Sequence, residues 1–456
     1  MTNLFDEFDS VTSKQWKQNI QFELKGADYN KTLIWKTQED IDVKPFYHAD
    51  EFKEISFSSN TSVTSWNICQ TIFVFDEIKS NKKALSALDK GAESIKFIIP
   101  NNTVSIEKLI KNLDLERTKI YFELQYASHN FTDQFASILN KKNSDIHLDI
   151  IANLARNGNW FNTLKDDHTK FEAFVNQTNS FSIDMSLYQN AGATMVQQLA
   201  YGLAHANEYL NYFNNILSQE KKQSMLVTFN VAIGTHYFFE IAKLKALRKL
   251  WETLASEYGF NLNCQILAYP TKRNKTLYDY NINMLRTTTE CMSAILGGAN
   301  TINNLPYDAI YHKDNEFGER MARNQLLILK HESYFDKVKN PSDGAYYIAT
   351  ITKQLSEKSL ELFKNIEANG GFLKQLKEGI IQRKIKESAN KEQKMFDEGT
   401  EILLGCNKHQ NPDDKMKHEL ELYPFVKTNQ RKTLIEPIIE KRLAETLEQQ
   451  RLKNED

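Results

Sequence analysis

Residues 225–270 read MLVTFNVAIGTHYFFEIAKLKALRKLWETLASEYGFNLNCQILAYP, a complete strand–helix–strand unit. Its ends, MLVTFNV (225–231) and NCQILAY (263–269), are short apolar runs of strand length. Between them Tyr237, Ile241, Leu244, Leu247, Trp251 and Leu254 recur at three- and four-residue spacing, which lays one apolar stripe along a helix. Such a stripe packs on a sheet, and two strands joined across a helix run parallel.

Moving outward, the same kind of run recurs at NICQTIFV (67–74), SIKFIIP (94–100), KIYFELQ (119–125), DIHLDII (145–151), FSIDMSL (181–187) and SAILGGANTI (293–302). With the first two runs these make eight strands alternating with helical segments, the pattern of a TIM-type (β/α)8 barrel. A doubly wound open sheet alternates in the same way, and the count of eight is what separates the two. The sequence therefore predicts an α/β protein with its barrel over residues 61–350.

The flanks read differently. Within residues 1–60, Trp16, Ile20 and Leu24 recur at helical spacing, Gly26 can end that helix, and Tyr29 to Tyr47, with Pro45, reads as an extended arm lying on something else. Beyond residue 345 strand-like runs stop and ITKQLSEKSLELFKNIEANGG (351–371) begins a helical tail over 351–456, with Asn369 and Gly370 as its first C-cap. Residues 372–395 and 431–453 are expected to be helical as well, rich in Lys and Glu.

Composition excludes several functions. Hydrophobic residues make up 41% and charged residues 25%, and a formal charge of −2 supplies no net field for a polyanion. The basic residues of LKEGIIQRKIKESANKEQK (376–394) alternate with acids, as on a solvated helix face, so no nucleic-acid partner is expected. Cys69, Cys264, Cys291 and Cys406 form no CxxC pair, which argues for reduced thiols. The amino terminus, MTNLFDEFDSVTSKQWK, has no apolar signal core, and no run of about 18 uncharged apolar residues occurs. A cytoplasmic protein without a membrane span is the expectation.

Few motifs suggest chemistry. Gly297-Gly298 is the nearest approach to a phosphate loop and reads better as a tight turn. The ten histidines are dispersed, and Phe335 stands where His331-Glu332 would need a second histidine for zinc, so no metal site is expected. Asp145-Ile146-His147-Leu148-Asp149-Ile150 approximates the DxHxxG string with which some cobalamin enzymes ligate cobalt. It lacks the glycine and sits in a barrel strand. No GxSxG or cysteine-nucleophile signature is present.

Seven stretches at four places resemble the methylmalonyl-CoA mutase family: LKGADYNKTLIWKTQEDIDVKPFY (24–47); YQNAGATMVQQLAYGLAHANEYL (188–210); FNVAIGTHYFFEIAKLKALRKLW (229–251) and MARNQLLILKHES with NPSDGAYYI (321–333, 340–348); and IEANGGFLKQLKEGIIQRKIKESA with ILLGCNK (366–389, 402–408). The resemblance implies an arm that wraps a partner subunit, a barrel, and the connector that leads, in catalytic chains, to a cobalamin domain. With the chain stopping at Asp456, that domain is expected to be missing.

The resemblance also implies what has been lost. Catalytic chains carry a histidine to the substrate thioester just before their Ala-Gly-Ala string; aligned on Ala191-Gly192-Ala193, Leu187 takes its place, and leucine cannot donate that bond. Where catalytic chains read Ile-Arg-Gln-Tyr, with the arginine on CoA and the tyrosine by the substrate, Ile68-Cys69-Gln70-Thr71 stands here. Bulky Phe73, Phe97, Ile99 and Phe122 agree with an axis closed to CoA.

These departures imply a non-catalytic small subunit that binds no cofactor or metal itself. It would pair with a large subunit that holds adenosylcobalamin and interconverts (R)-methylmalonyl-CoA and succinyl-CoA in propionate metabolism. The alternatives are the catalytic barrel of a split acyl-CoA mutase with a separate cobalamin chain, and an acyl-CoA sensor.

Overall fold

The structure, a computed structural model, describes residues 7–52, 63–139, 141, 143–427 and 430–455. Eight parallel strands form the centre: β1 (Asn67–Phe73), β2 (Ser94–Ile99), β3 (Lys119–Leu124), β4 (Ser144–His147), β5 (Ser180–Asp184), β6 (Leu226–Ile233), β7 (Gln265–Pro270) and β8 (Thr301–Asn303). Their hydrogen-bonded order, β4-β3-β2-β1-β8-β7-β6-β5, is sequential around a nearly closed TIM-type barrel. The flanking helices include α1 (Ser13–Glu23), α2 (Glu77–Asp89), α3 (Leu164–Thr178), α4 (Met195–Phe213), α5 (Tyr237–Tyr258), α6 (Ile282–Leu296), α7 (Glu316–Leu327), α8 (Tyr346–Ala368), α9 (Ile380–Asp397) and α10 (Glu445–Lys453).

Successive strand residues point to opposite faces, which sorts the side chains into two environments. Ile95, Phe97, Ile99, Ile120, Phe122 and Phe229 belong to the large apolar layer between strands and helices. Phe97 stacks on Phe122 at 5.8 Å, Phe122 meets Phe135 edge-on at 5.6 Å, and Phe229 meets Trp251 of α5 at 5.5 Å. Phe97, Ile99 and Phe122 thus cover the outside of the barrel, and Phe73, 47% exposed, packs no core; none of the four fills the axis as their bulk suggested. The stripe of α5 has Ile241, Leu244, Leu247, Trp251 and Leu254 buried as expected, while Tyr237 at its start is only half-buried.

Two sequence expectations change. In SAILGGANTI, Ser293–Leu296 is the last turn of α6, and only Thr301–Asn303 is strand; the residues are apolar because that turn also faces the barrel. In 431–453 only Glu445–Lys453 is helical. Residues 433–443 instead form an extended strap, whose N–H groups bond distant carbonyls rather than their own helix: Ile435 to Gly158 at 3.1 Å, Ile438 to Ala155 at 2.8 Å, Lys441 to Asn190 at 3.1 Å and Leu443 to Arg273 at 2.8 Å. The strap passes so close to Gly158 (φ +75°) that an added Cβ would lie 2.7 Å from the Ile435 carbonyl.

At the amino end, Thr12 and Gln15 cap α1 reciprocally, and the helix stops at Glu23, just before Gly26. No residue of α1 is buried, and Trp16 is half exposed. A small antiparallel hairpin, Trp35–Lys36 with Asp42–Val43, follows within the arm.

Among the described residues no backbone ladder joins β4 to β5. The gap is bridged by the carboxylate of Asp149, two residues past the end of β4: its Oδ2 accepts the Asp184 N–H at 2.8 Å. Its Oδ1 accepts Ala152 N–H at 2.9 Å, Tyr209 O–H at 2.7 Å and His205 Nε2 at 3.0 Å. A carboxylate only accepts, so His205 donates from Nε2 and on Nδ1 accepts a hydrogen bond from the Tyr188 hydroxyl at 3.0 Å. Asp149→Asn should keep the helix cap but set an amide NH2 against a donor at the seam, lowering unfolding stability by about 3 kcal/mol. Urea unfolding of the variant measures this, and a midpoint equal to wild type would refute the seam's importance.

Candidate functional site

In barrels of this kind chemistry sits at the carboxyl ends of the strands and along the axis below them. The inward side chains are polar, because alternate residues of the strand runs, Lys96 of β2, Lys119 and Glu123 of β3, and Asp145 and His147 of β4, point away from the apolar layer. Lys96 pairs with Glu123 at 2.5 Å and Lys119 with Asp145 at 2.7 Å. Burial opposes the Lys96 ammonium, but the Glu123 carboxylate outweighs it and holds its pKa above the ordinary value.

Two contacts cross the axis. The Tyr121 hydroxyl of β3 meets Thr301 Oγ1 of β8 at 2.7 Å, and Lys96 Nζ of β2 lies 5.8 Å from the Tyr269 ring centre of β7, each pair being three strands apart around the barrel. Cys69, Tyr121 and Leu267 form a buried apolar knot with Tyr269 against it. These residues occupy the axis that a threaded substrate would need.

The three positions singled out in the sequence fall in different places. Cys69 points into the barrel, 4% exposed, and burial pushes its thiol up to about 11, so it stays protonated and unreactive at neutral pH. Thr71 lies two residues further along β1, its N–H bonded to Asn303 Oδ1 at 3.0 Å. Leu187 lies beyond the strand, in the one-turn helix Ser186–Asn190, because β5 already ends at Asp184. It is fully buried in the main apolar core rather than in the interior knot, so the structure does not bring it beside Cys69 and Thr71.

The DxHxxG-like string fails as a cobalt ligand set. His147 is 3% exposed inside the barrel, with neither ring nitrogen hydrogen-bonded among the described residues, and Asp145 is committed to Lys119 rather than orienting it. Burial, then the charges of Lys96 and Lys119, push its pKa down to about 3, and no corrin could approach it there. Among the described residues no three metal-capable side chains converge, and no helix is long and apolar enough to cross a membrane.

Both flanking segments cover the mouth. Glu39 of the amino-terminal hairpin accepts Met195 N–H at 2.7 Å and Val196 N–H at 2.8 Å, capping α4, while Trp35 stacks on His236 at 5.2 Å. A cavity of about 270 Å³ lies under this hairpin. On the other side Arg156 bridges Asp184 at 2.8 Å and Glu440 of the strap at 3.8 Å. Arg273 binds Glu392 of α9 at 2.6 Å and the Lys441 carbonyl at 2.8 Å. Buried pairs Glu240–Lys243 at 2.6 Å and Lys275–Glu290 at 2.7 Å stiffen the floor.

Sequence reasoning had missed this ionic lining. The signal was present as charges at alternate positions of otherwise apolar runs, SIKFII and KIYFEL.

The fold and its mouth define a TIM-type barrel whose axis is closed by its own side chains. The family model for methylmalonyl-CoA mutase matches residues 141–454. The chain is 32% identical to the methylmalonyl-CoA mutase small subunit of Porphyromonas gingivalis over 90% of this chain and 71% of that protein. It is 24% identical to the small subunit of Propionibacterium freudenreichii subsp. shermanii, over 82% and 64% respectively. It is 35% identical to the methylmalonyl-CoA mutase of Rhizobium meliloti over 51% of this chain, which spans 33% of that relative. The chain belongs to the methylmalonyl-CoA mutase family, a family of isomerases.

The neutral His147 makes a pH prediction. Its pKa falls from 6.5 to about 3 on folding, so the unfolded chain takes up a proton first as the solution is acidified. The stability it contributes is complete above pH 6.5 and is lost progressively toward pH 3. Urea unfolding at a series of pH values should show a shallower acid dependence for His147→Leu than for wild type across that window; parallel curves would refute it.

Proposed function

We propose that this chain is the non-catalytic small subunit of a heterodimeric, adenosylcobalamin-dependent methylmalonyl-CoA mutase of the cytoplasm. Its role is to dock on and stabilise a large subunit, which holds the cofactor and interconverts (R)-methylmalonyl-CoA and succinyl-CoA. The observation that carries this reading is the occupied axis: Tyr121 bonded across to Thr301, with Lys96 reaching over Tyr269, takes the space an acyl-CoA arm would thread.

Other features support it. Two relatives are named small subunits of this enzyme. Leucine at 187, cysteine at 69 and threonine at 71 offer neither a thioester donor, a cation for CoA nor an aromatic surface. The only histidine in a cobalamin-like string is sealed inside the barrel. Trp16 and Phe22 of α1, 50% and 84% exposed, give an amphipathic arm surface of the kind that a partner covers.

The radical chemistry belongs to the cofactor, and the protein around it supplies binding and exclusion of water. This chain's own residues then act through assembly alone. The test is mutase turnover in three samples at equal concentration, each with adenosylcobalamin: this chain, the large subunit, and the mixture. Turnover confined to the mixture or the large subunit is expected. Turnover by this chain alone would overturn the proposal.

A further inference from the structure

A second cavity, of about 210 Å³, opens at the carboxyl end of the barrel between the loop after β7, the loop after β8, residues 423–426 and the end of the strap. Four cations line it, in two different states. Arg273 is held by Glu392 and Arg442 by Glu448, each at 2.6 Å. Lys272 and Lys441 are exposed, and among the described residues neither ammonium is hydrogen-bonded or in an ion pair; Lys441 acts on the Glu445 carboxylate only at longer range.

The remaining lining is equally uneven. Glu440 accepts the Asn190 amide at 3.1 Å. Glu445, only 3% exposed, accepts Val426 N–H on Oε1, while its Oε2 is sealed from solvent and has no hydrogen-bond partner among the described residues. Tyr423 presents a ring that is 61% exposed yet fixed in place. Leu422 N–H on one side donates to the Tyr311 carbonyl at 2.9 Å, Arg442 on the other donates to the Pro424 carbonyl at 3.3 Å, and Phe425 meets the ring edge-on at 5.5 Å. An aromatic already ordered in this way loses little entropy when a second ring stacks on it.

We infer that this groove binds a nucleoside phosphate, with its base on Tyr423 and its phosphate between Lys272 and Lys441. A simple anion would satisfy the two lysines and leave the ordered ring unused. A nucleotide carries the complement of both in one molecule. The inference does not depend on whether the barrel turns over substrate, because these residues lie outside its axis.

The nucleotide can be free or can be the nucleotide end of coenzyme A, and titration of the full chain separates the sources. ADP, coenzyme A and inorganic pyrophosphate are each titrated calorimetrically at low salt. Saturable ADP binding is expected, with coenzyme A competing if it is the source and failing to compete if the ligand is free nucleotide, and with pyrophosphate far weaker. Lys272→Ala and Lys441→Ala should each weaken ADP about tenfold or more, and Tyr423→Ser should weaken ADP while leaving pyrophosphate unchanged. All three side chains are exposed, so thermal unfolding should match wild type. Absence of ADP binding, pyrophosphate binding as tight as ADP, or ADP affinity unmoved by the lysine substitutions would overturn the assignment.

Discussion

The carboxylate of Asp149 is the constraint on which this barrel turns. Among the described residues seven of the eight strand junctions are backbone ladders, and the eighth, between β4 and β5, is not. A sheet left open there would present two free edges. One oxygen of Asp149 takes the Asp184 N–H across the gap, and the other collects a helix N–H, a tyrosine and a histidine. Arg156 reinforces the same seam by reaching from the helix after β4 to Asp184 at the end of β5. The same curvature that lets the sheet close here sets β3 across the axis from β8 and β2 across from β7, each pair three strands apart, where the two cross-axis contacts form.

The interior that closure creates is ionic rather than oily. Buried ion pairs are poor sources of net stability, since desolvation consumes most of the Coulomb attraction, whereas removing one partner strands a charge at a cost of about 3–5 kcal/mol. Lys96–Glu123 and Lys119–Asp145 are therefore better understood as fixing side chains in one arrangement across adjacent strands. His147 shows the limit of that arrangement: with cations on two sides and no acceptor, it can only be neutral.

The barrel could be read in the sequence because its strands are short, apolar and separated by helices with regular stripes, of which the stripe of α5 is the clearest. What could not be read was which way each strand faces. Phe97 and Phe122 look like axis fillers until the register shows them outside, leaving Lys96, Tyr121 and Glu123 within. A one-residue change of phase exchanges the two sets, and nothing local in an alternating run decides between them. The strap was misread as helix for a related reason: its charged composition suits a helix, but its N–H groups find carbonyls on Ala155, Gly158, Asn190 and Arg273, contacts up to 283 residues away that no local pattern encodes. Leu187 stood out only through resemblance, since in its surroundings it is an ordinary core leucine.

Cover and plug are separate in this molecule. The hairpin holds the mouth through Glu39, the strap through Arg273 and Arg442, and neither segment donates to Lys96, Tyr121 or Thr301. Displacing either cover, as a partner docking at the mouth could do, would expose the loops and still leave the Tyr121–Thr301 bond and the Lys96–Tyr269 contact across the path below. Opening the axis would require unpairing a buried lysine and uncoupling a buried tyrosine, each leaving a polar group without a partner in a dry interior. The covers can therefore move for assembly or for a ligand at the mouth without turning the barrel into a channel.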